Sequence, residues 1–172
     1  MQRLQQLAVE PFGVKEFRAV MGAFATGVTV ITTQGQDEPY GMTANAFSSL
    51  SLDPPLILVC VISGTQGSEA LERNGVFAVN ILTAEQEVLS NYFASRDRPR
   101  GTAAFRGIPH REVVTGSPVI DGVAAFMDCR VADQHPGGDH EIFVGEVLAI
   151  GADADAPRPL IFHRGRYGYL RD

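Results

Sequence analysis

The stretch Tyr40–Ile62, YGMTANAFSSLSLDPPLILVCVI, decides the expected fold, because it pairs two strand patterns around a Pro-Pro turn. Its first part crowds Gly, Thr, Asn and Ser into the strand expected at Tyr40–Phe47, a composition typical of a backbone that a ligand approaches closely. A polar edge strand leading into the turn explains this composition equally well. Its second part, Leu56–Ile62, is apolar at every position, which predicts a strand buried on both faces.

Short apolar runs separated by Gly and Pro continue on both sides of this stretch, and they indicate a β-rich fold. Besides the two strands above, strands are expected at Val28–Thr33, Val76–Leu82, Val123–Ala132, His140–Ile150 and Pro159–His163. The breaker-rich run DQHPGGD (133–139) is expected to be a turn between the two long strands. Six or seven strands with two or three helices favour a closed or half-closed antiparallel barrel.

Three segments are expected to be helical. The apolar residues Val14, Phe17, Met21 and Phe24 recur at helical spacing, which predicts a first helix with this stripe facing a core. Further helices are expected at Ser68–Asn74, ended by Gly75, and from Thr83 or Ala84 to Ala94, where Thr83 and Gln86 match a capping box. The range Ser95–Glu112 holds five of the thirteen arginines, and we interpret it as an exposed loop with Phe105 as an anchored aromatic.

Length and composition exclude several classes of protein. A chain of 172 residues predicts a single domain over residues 1–172. Its net charge of −6 argues against a general nucleic-acid binder. With only Cys60 and Cys129 and no C-x-x-C, neither a disulfide framework nor a zinc finger is expected. Without a membrane span or a secretory signal in the sequence, we expect a cytoplasmic protein that does not bind membranes.

Motifs of several common enzyme classes are also missing. The sequence has no G-x-G-x-x-G, no P-loop and no G-x-S-x-G elbow. His135 and His140 lie near Asp139 and Glu141, but this spacing matches no ligand motif, and a surface turn is the favoured interpretation. No metal is expected.

Five motifs, in this order and at these separations, resemble the flavin reductase-like family. They are GVTVITT, GMTANAFSSLSLDPPLILVCV, FAVNIL, GDHEIFVGEV and PLIFHRGRY, and the resemblance covers about Phe17–Tyr167. It implies a mostly β fold, a six-stranded antiparallel Greek-key FMN-binding split barrel with flanking helices. It also implies a homodimer with flavin bound near the subunit interface.

The resemblance implies a set of flavin-binding residues. They are Met42, Thr43, Ala44, Asn45 and Ala46 on one strand; Cys60, Val61 and Ile62 on the next; Ser63, Thr65, Gln66 and Gly67 in the loop that follows; and Asn80 as a support. Family members often have Ser at the position of Ala46. Their phosphate loop is rich in Ser, Thr and basic residues, whereas the loop here, SGTQGS, contains no Lys or Arg.

The resemblance also implies a nicotinamide site. His140 in the GDH context is the expected catalytic residue and faces the nicotinamide, and Arg164, Arg166 and Tyr167 in RGRY approach the bound pyridine nucleotide. An arginine there would suit a pyrophosphate.

The function implied is that of an NAD(P)H:flavin oxidoreductase that reduces FMN or FAD and supplies it to a separate oxygenase. Hydride transfer from nicotinamide to flavin is chemistry of the two nucleotides, so the absence of a catalytic triad agrees with this function. Two alternatives remain: an electron carrier that binds flavin without a productive nicotinamide site, and a reductase of another small molecule with flavin as a fixed prosthetic group.

Overall fold

A computed structural model describes residues 11–35, 38–155 and 158–170. Its α-helices are α1 (Val14–Met21), α2 (Gln66–Asn74) and α3 (Glu87–Ala94), and 3₁₀ turns lie at Ala84–Gln86 and Gly101–Phe105. The strands are β1 (Thr26–Gly27), β2 (Thr29–Thr33), β3 (Tyr40–Ala44), β4 (Phe47–Leu52), β5 (Pro55–Ile62), β6 (Val76–Ile81), β7 (His110–Arg111), β8 (Val119–Ile120), β9 (Ala125–Gly137), β10 (His140–Ala152), β11 (Leu160–His163) and β12 (Arg166–Tyr169).

Seven antiparallel strands form the main sheet, in the order β3-β2-β6-β9-β10-β5-β4. The strands at its two ends, β3 and β4, are consecutive in the chain and are separated only by Asn45 and Ala46. Since one continuous run of chain forms both ends, the sheet closes into a barrel. The amide of Cys60 donates to the carbonyl of Ala46 at 2.9 Å, which extends the β4–β5 pairing up to this junction.

The mostly β, antiparallel fold with flanking helices is therefore confirmed, and only the strand count differs from the expected six. The strand expected at Tyr40–Phe47 ends at Ala44 as β3, and β4 (Phe47–Leu52) is a further strand that was not expected. When β3 and β4 are counted as one strand that bends at Asn45 and Ala46, the barrel has six. Two smaller sheets, β1-β11-β12 and β7-β8, lie outside it.

Two apolar clusters form the core. The interior of the barrel contains Ile31, Val59, Val61, Phe77 and Phe143, all buried. A second cluster covers the other face of β2 and β6 and includes Phe93 of α3 and Phe105, which confirms the anchored aromatic. The expected helix signals are also present. Gly75 ends α2 in the left-handed conformation with φ of 67°, and Gln86 caps the amide of Thr83.

Two expectations of burial are wrong within the described chain. Helix α1 forms, but its apolar stripe does not face a core, because Val14 and Phe24 are about 70% exposed. On β5 only alternate residues, Ile57, Val59 and Val61, are buried, while Leu58 and Cys60 are half-buried and Ile62 is 53% exposed. Periodicity and apolar content predicted the elements correctly, but they carry no information about what covers the second face.

The turn expected at residues 133–139 is also wrong, because β9 continues to Gly137 and only Gly138 and Asp139 form the turn. Pro136 belongs to the strand. It is tolerated there because β6 pairs with β9 only up to Arg130, so the far end of β9 is an edge where a missing N–H leaves no partner unsatisfied. None of the helices in the described ranges is long and apolar enough to cross a membrane.

Candidate functional site

A cavity of about 610 Å³ lies beside the junction of β3 and β4, within the range usual for small-molecule sites. It is lined by Tyr40, Met42, Thr43, Ala44, Asn45, Ala46, Cys60, Val61, Ile62, Thr65, Gln66, Phe93, Ala94, Arg96, Arg98, Arg100 and His140. We call the residues Thr43–Ala46 and Cys60–Ile62 the strand wall. We call residues Ser95–Arg100, which follow α3, the arginine segment.

The side chains of the strand wall bond to the scaffold behind it. The hydroxyl of Thr43 donates to the carbonyl of Ser90 in α3 at 2.6 Å. The hydroxyl of Thr29 donates to the carbonyl of Ala44 at 2.7 Å. These bonds fix the backbone of the wall, which has only small side chains at Ala44 and Ala46 to offer a flat ligand.

Bonds from Asn45 and a tight contact at Gly41 complete the support of this strand. The amide of Asn45 donates to the hydroxyl of Thr26 at 3.2 Å. A Cβ at Gly41 would lie 2.6 Å from the ring of Phe93, so only glycine lets α3 pack this closely. The small residue at position 41 is thus required by a core aromatic side chain, whereas Ala46 is exposed and borders the cavity.

The loop after β5 divides between the cavity and the scaffold. Thr65 and Gln66 line the cavity, and Thr65 also caps α2 by accepting from the amide of Ser68 at 3.4 Å. Ser63 lies outside the cavity lining, and its hydroxyl donates to Glu141 at 3.0 Å. Gly67 is buried behind the loop, where a Cβ would lie 2.5 Å from the sulfur of Met42.

His140 reaches the cavity from the start of β10, where it pairs with Ile62 across the sheet. Its Nδ1 lies 2.7 Å from the carboxylate of Asp139, and this hydrogen bond lowers the pKa of Asp139. The imidazole is 38% exposed and borders the cavity. His135 lies instead beside Asp133, at 3.2 Å, and the described residues contain no group of three potential metal ligands.

Asn80 lies away from the cavity and is completely buried. Its amide nitrogen donates to the carbonyl of Val30 at 3.1 Å, and its amide oxygen accepts from the backbone of Ile120 at 2.8 Å. Asn80 therefore acts on the site only through β2, the neighbour of β3.

The structure does not bring Arg164, Arg166 and Tyr167 to the cavity of the same chain. They line a separate groove of about 540 Å³ at the β11–β12 hairpin. Tyr167 is nevertheless connected to the strand wall, because its hydroxyl lies 2.8 Å from that of Ser90, whose carbonyl accepts from Thr43. As nicotinamide contacts, these three residues stay a prediction.

Sequence reasoning missed the contribution of the arginine segment, which it treated as part of an exposed loop. Arg98 donates to the carbonyls of Gly41 and Ser95 and lies over the rings of Tyr40 and Phe93, at 5.2 and 5.9 Å from their centroids. It therefore joins the end of α3 to β3. The clustering of three arginines at alternate positions was the one available signal.

A larger groove of about 750 Å³ lies elsewhere, lined by side chains of both charges that include Glu38, Arg106, His110 and Glu112. It contains none of the residues that the family motifs single out. The cavity at the strand wall is therefore the better candidate site.

The chain is similar in sequence and structure to known flavin reductases. Residues 21–171 match the model of the flavin reductase like domain. The chain is 43% identical over 154 residues to the flavin-dependent monooxygenase reductase subunit HsaB of Mycobacterium tuberculosis, covering 89% of this chain and 80% of that protein. It is 40% identical to the NADH-dependent FMN reductase AsuE2 of Streptomyces nodosus, covering 93% and 86%. The solved structure of the Streptomyces globisporus NADH:FAD oxidoreductase SgcE6 superposes with a TM-score of 0.87 at 38% identity, covering 95% and 97%.

Proposed function

The chain belongs to the flavin reductase-like family. We propose that it oxidises NADH, reduces free FMN or FAD, and supplies the reduced flavin to a separate oxygenase component. The observation that carries this function is the cavity at the barrel junction. It combines an uncharged wall of backbone and small side chains with an imidazole and three arginines. This donor set fits a flat heterocycle carrying a phosphate.

The residues of the cavity fit the role of binding and orienting two nucleotides. Hydride transfer between nicotinamide and flavin is supplied by the bound nucleotides, and the protein contributes position and electrostatics. The strand wall would support the isoalloxazine through backbone groups of Thr43–Ala46. Because the carboxylate of Asp139 holds Nδ1 of His140, the ring has a fixed orientation at the edge of the cavity, and Nε2 is the atom that would hydrogen-bond the carboxamide of nicotinamide.

We expect NADH rather than NADPH as the reductant, because the named relatives with a stated reductant use NADH. The test is an NADH oxidation assay with purified protein, in which FMN and FAD are varied separately. Flavin-dependent oxidation that saturates in both substrates supports the proposal. Flavin binding without NADH oxidation would instead identify an electron carrier, and flavin retained through desalting would identify a fixed prosthetic group.

We further propose that the chain forms a homodimer. The stripe of α1 and the outer face of β5 expose apolar side chains to solvent, including Phe17 and Ile62, each 53% exposed. Exposed apolar patches of this kind mark interaction surfaces in soluble proteins. A second copy would cover the same faces by symmetry. Sedimentation at micromolar concentration should show a species of twice 18.5 kDa, and a stable 18.5 kDa species would contradict the dimer.

A further inference from the structure

The loop Ser63–Ser68 at the edge of the cavity contains no cation, and its hydroxyl groups donate to protein acceptors. Thr65 donates to the carbonyl of Ile62 at 2.8 Å, and Ser68 donates to the carbonyl of Thr65 at 2.9 Å. Ser63 donates to the carboxylate of Glu141 at 3.0 Å. An anion at this end of the cavity therefore needs positive charge from another part of the chain.

The arginine segment supplies positive charge at this end. Arg96, Arg98 and Arg100 line the cavity together with Tyr40 and Gln66, and the same five residues also line a small adjoining depression. The arginines thus lie where the cavity borders Gln66, the first residue of α2. Three guanidinium groups on five successive residues face the same region as the uncharged loop.

The three arginines differ in their contacts. Arg98 is half-buried and is held by two backbone carbonyls and two aromatic rings. Arg96 and Arg100 are exposed, and neither side chain makes a hydrogen bond or ion pair with a residue in the ranges 11–35, 38–155 and 158–170. Their donors are available to a ligand. Because a guanidinium can bond two phosphate oxygens at once, a pair of them suits a phosphate group.

On the basis of the flavin reductase function proposed above, we infer that Arg96 and Arg100 bind the phosphate of the flavin. They take the place of a cation in the loop Ser63–Ser68, while Arg98 holds β3 in position. Phosphorylated flavins are then selected over riboflavin by the arginine segment. Both FMN and FAD satisfy this site, since each carries a phosphate on the ribityl chain.

The test compares binding of FMN and riboflavin, measured by quenching of flavin fluorescence. The Arg96→Ala/Arg100→Ala double variant should bind FMN about tenfold to a hundredfold more weakly than the wild type. Its affinity for riboflavin should change by less than about twofold, because riboflavin offers no phosphate. The matched control is Lys15→Ala/Arg106→Ala, which removes two exposed positive charges from outside the cavity and should leave the preference for FMN unchanged.

Three results would overturn the inference. The double variant could retain the wild-type preference for FMN, or it could lose affinity for FMN and riboflavin equally, which would show a merely structural role. It could also keep its FMN affinity while the KM for NADH rises, which would assign the arginines to the pyrophosphate of NADH. Failure of the function itself is separate, since wild-type protein that prefers FMN but does not oxidise NADH would retain the phosphate site.

Discussion

The strand wall and the arginine segment border the same cavity, but they are held in different ways. In the strand wall, the side chains of Thr43 and Asn45 bond to the scaffold, and small residues leave the backbone as the surface. In the arginine segment, one guanidinium bonds to the protein while those of Arg96 and Arg100 extend from an exposed loop. The strand wall is therefore uncharged and held in place by hydrogen bonds, whereas the arginine segment is charged and two of its side chains can change conformation.

This difference matches the two parts of a flavin nucleotide. A planar ring is recognised by shape, which requires a wall whose atoms are fixed before binding. A phosphate is recognised by charge, which tolerates a longer and more mobile side chain. Arg98 connects the two regions, because it bonds both to Ser95 of the arginine segment and to Gly41 of β3. The predictions below test this division of roles.

The largest effect is expected at Arg98. Replacement by Ala should lower the free energy of unfolding by about 2–3 kcal/mol. A hydrogen bond to a charged group is worth roughly 1.5–3 kcal/mol, and the guanidinium forms two, but their sum is reduced because the side chain is only half-buried. Arg98→Lys should recover part of this loss by retaining one bond. Chemical denaturation measures the change, with Arg100→Ala as the control, since its side chain bonds to no described residue. Equal stability of the Arg98→Ala and Arg100→Ala variants would refute the connecting role.

A bulky side chain on the strand wall should give the next largest effect. Ala46→Phe should weaken flavin binding about thirtyfold, close to 2 kcal/mol, because a ring placed in the cavity competes with the ligand for the same space. Ser49→Phe is the matched control, since Ser49 is also exposed but lies outside the cavity. Fluorescence titration measures both. An unchanged affinity in the Ala46 variant, with a native circular dichroism spectrum, would remove this residue from the site.

Local sequence was sufficient to predict the features of the fold that one element determines by itself. The apolar run of β5, the cap at Thr83 and the left-handed Gly75 are each determined within a few residues, and all appear in the structure. At Thr43–Ala46 the composition alone left a polar edge strand equally open, and only the resemblance to the flavin reductase-like family implied flavin-binding residues there; the structure shows that these residues meet Cys60–Ile62 and His140 at one cavity. That meeting depends on how β3, β5 and β10 are arranged in the barrel, which composition does not specify.

Contacts between distant parts of the chain were not predictable in this way. Arg98 meets Gly41, which is 57 positions away, and Tyr167 meets Ser90, which is 77 away. No periodicity links such pairs. An arginine-rich loop has the same composition whether its side chains meet water or a phosphate. For α1, the pattern showed that one face is apolar but could not show whether this chain or another covers it.

Replacement of His140 tests whether NADH has a contact of its own beside the strand wall. His140→Ala should raise the KM for NADH about tenfold, since the loss of about 1.4 kcal/mol corresponds to that factor. Flavin affinity should change by less than about twofold, because the strand wall and the arginine segment remain in place. Steady-state kinetics and fluorescence titration separate the two. A loss of flavin affinity with unchanged KM for NADH would assign the imidazole to the flavin instead, and loss of wild-type activity in EDTA would revive a metal site at His135 and His140.

The smallest effect concerns the thiols, which report on access to the strand wall. Burial raises the pKa of Cys60, and burial together with the charge of Asp128 raises the pKa of Cys129 to about 12. A raised pKa means less thiolate at pH 8, so Cys60 should react with iodoacetamide more slowly than a free cysteine, and its rate should still increase above pH 9. Cys129, fully buried in the barrel, should not react while the protein is folded. Saturating FMN should slow the reaction of Cys60 several-fold, as measured by mass spectrometry of the modified peptide, whereas equal rates with and without FMN would show that the ring does not lie on this part of the wall.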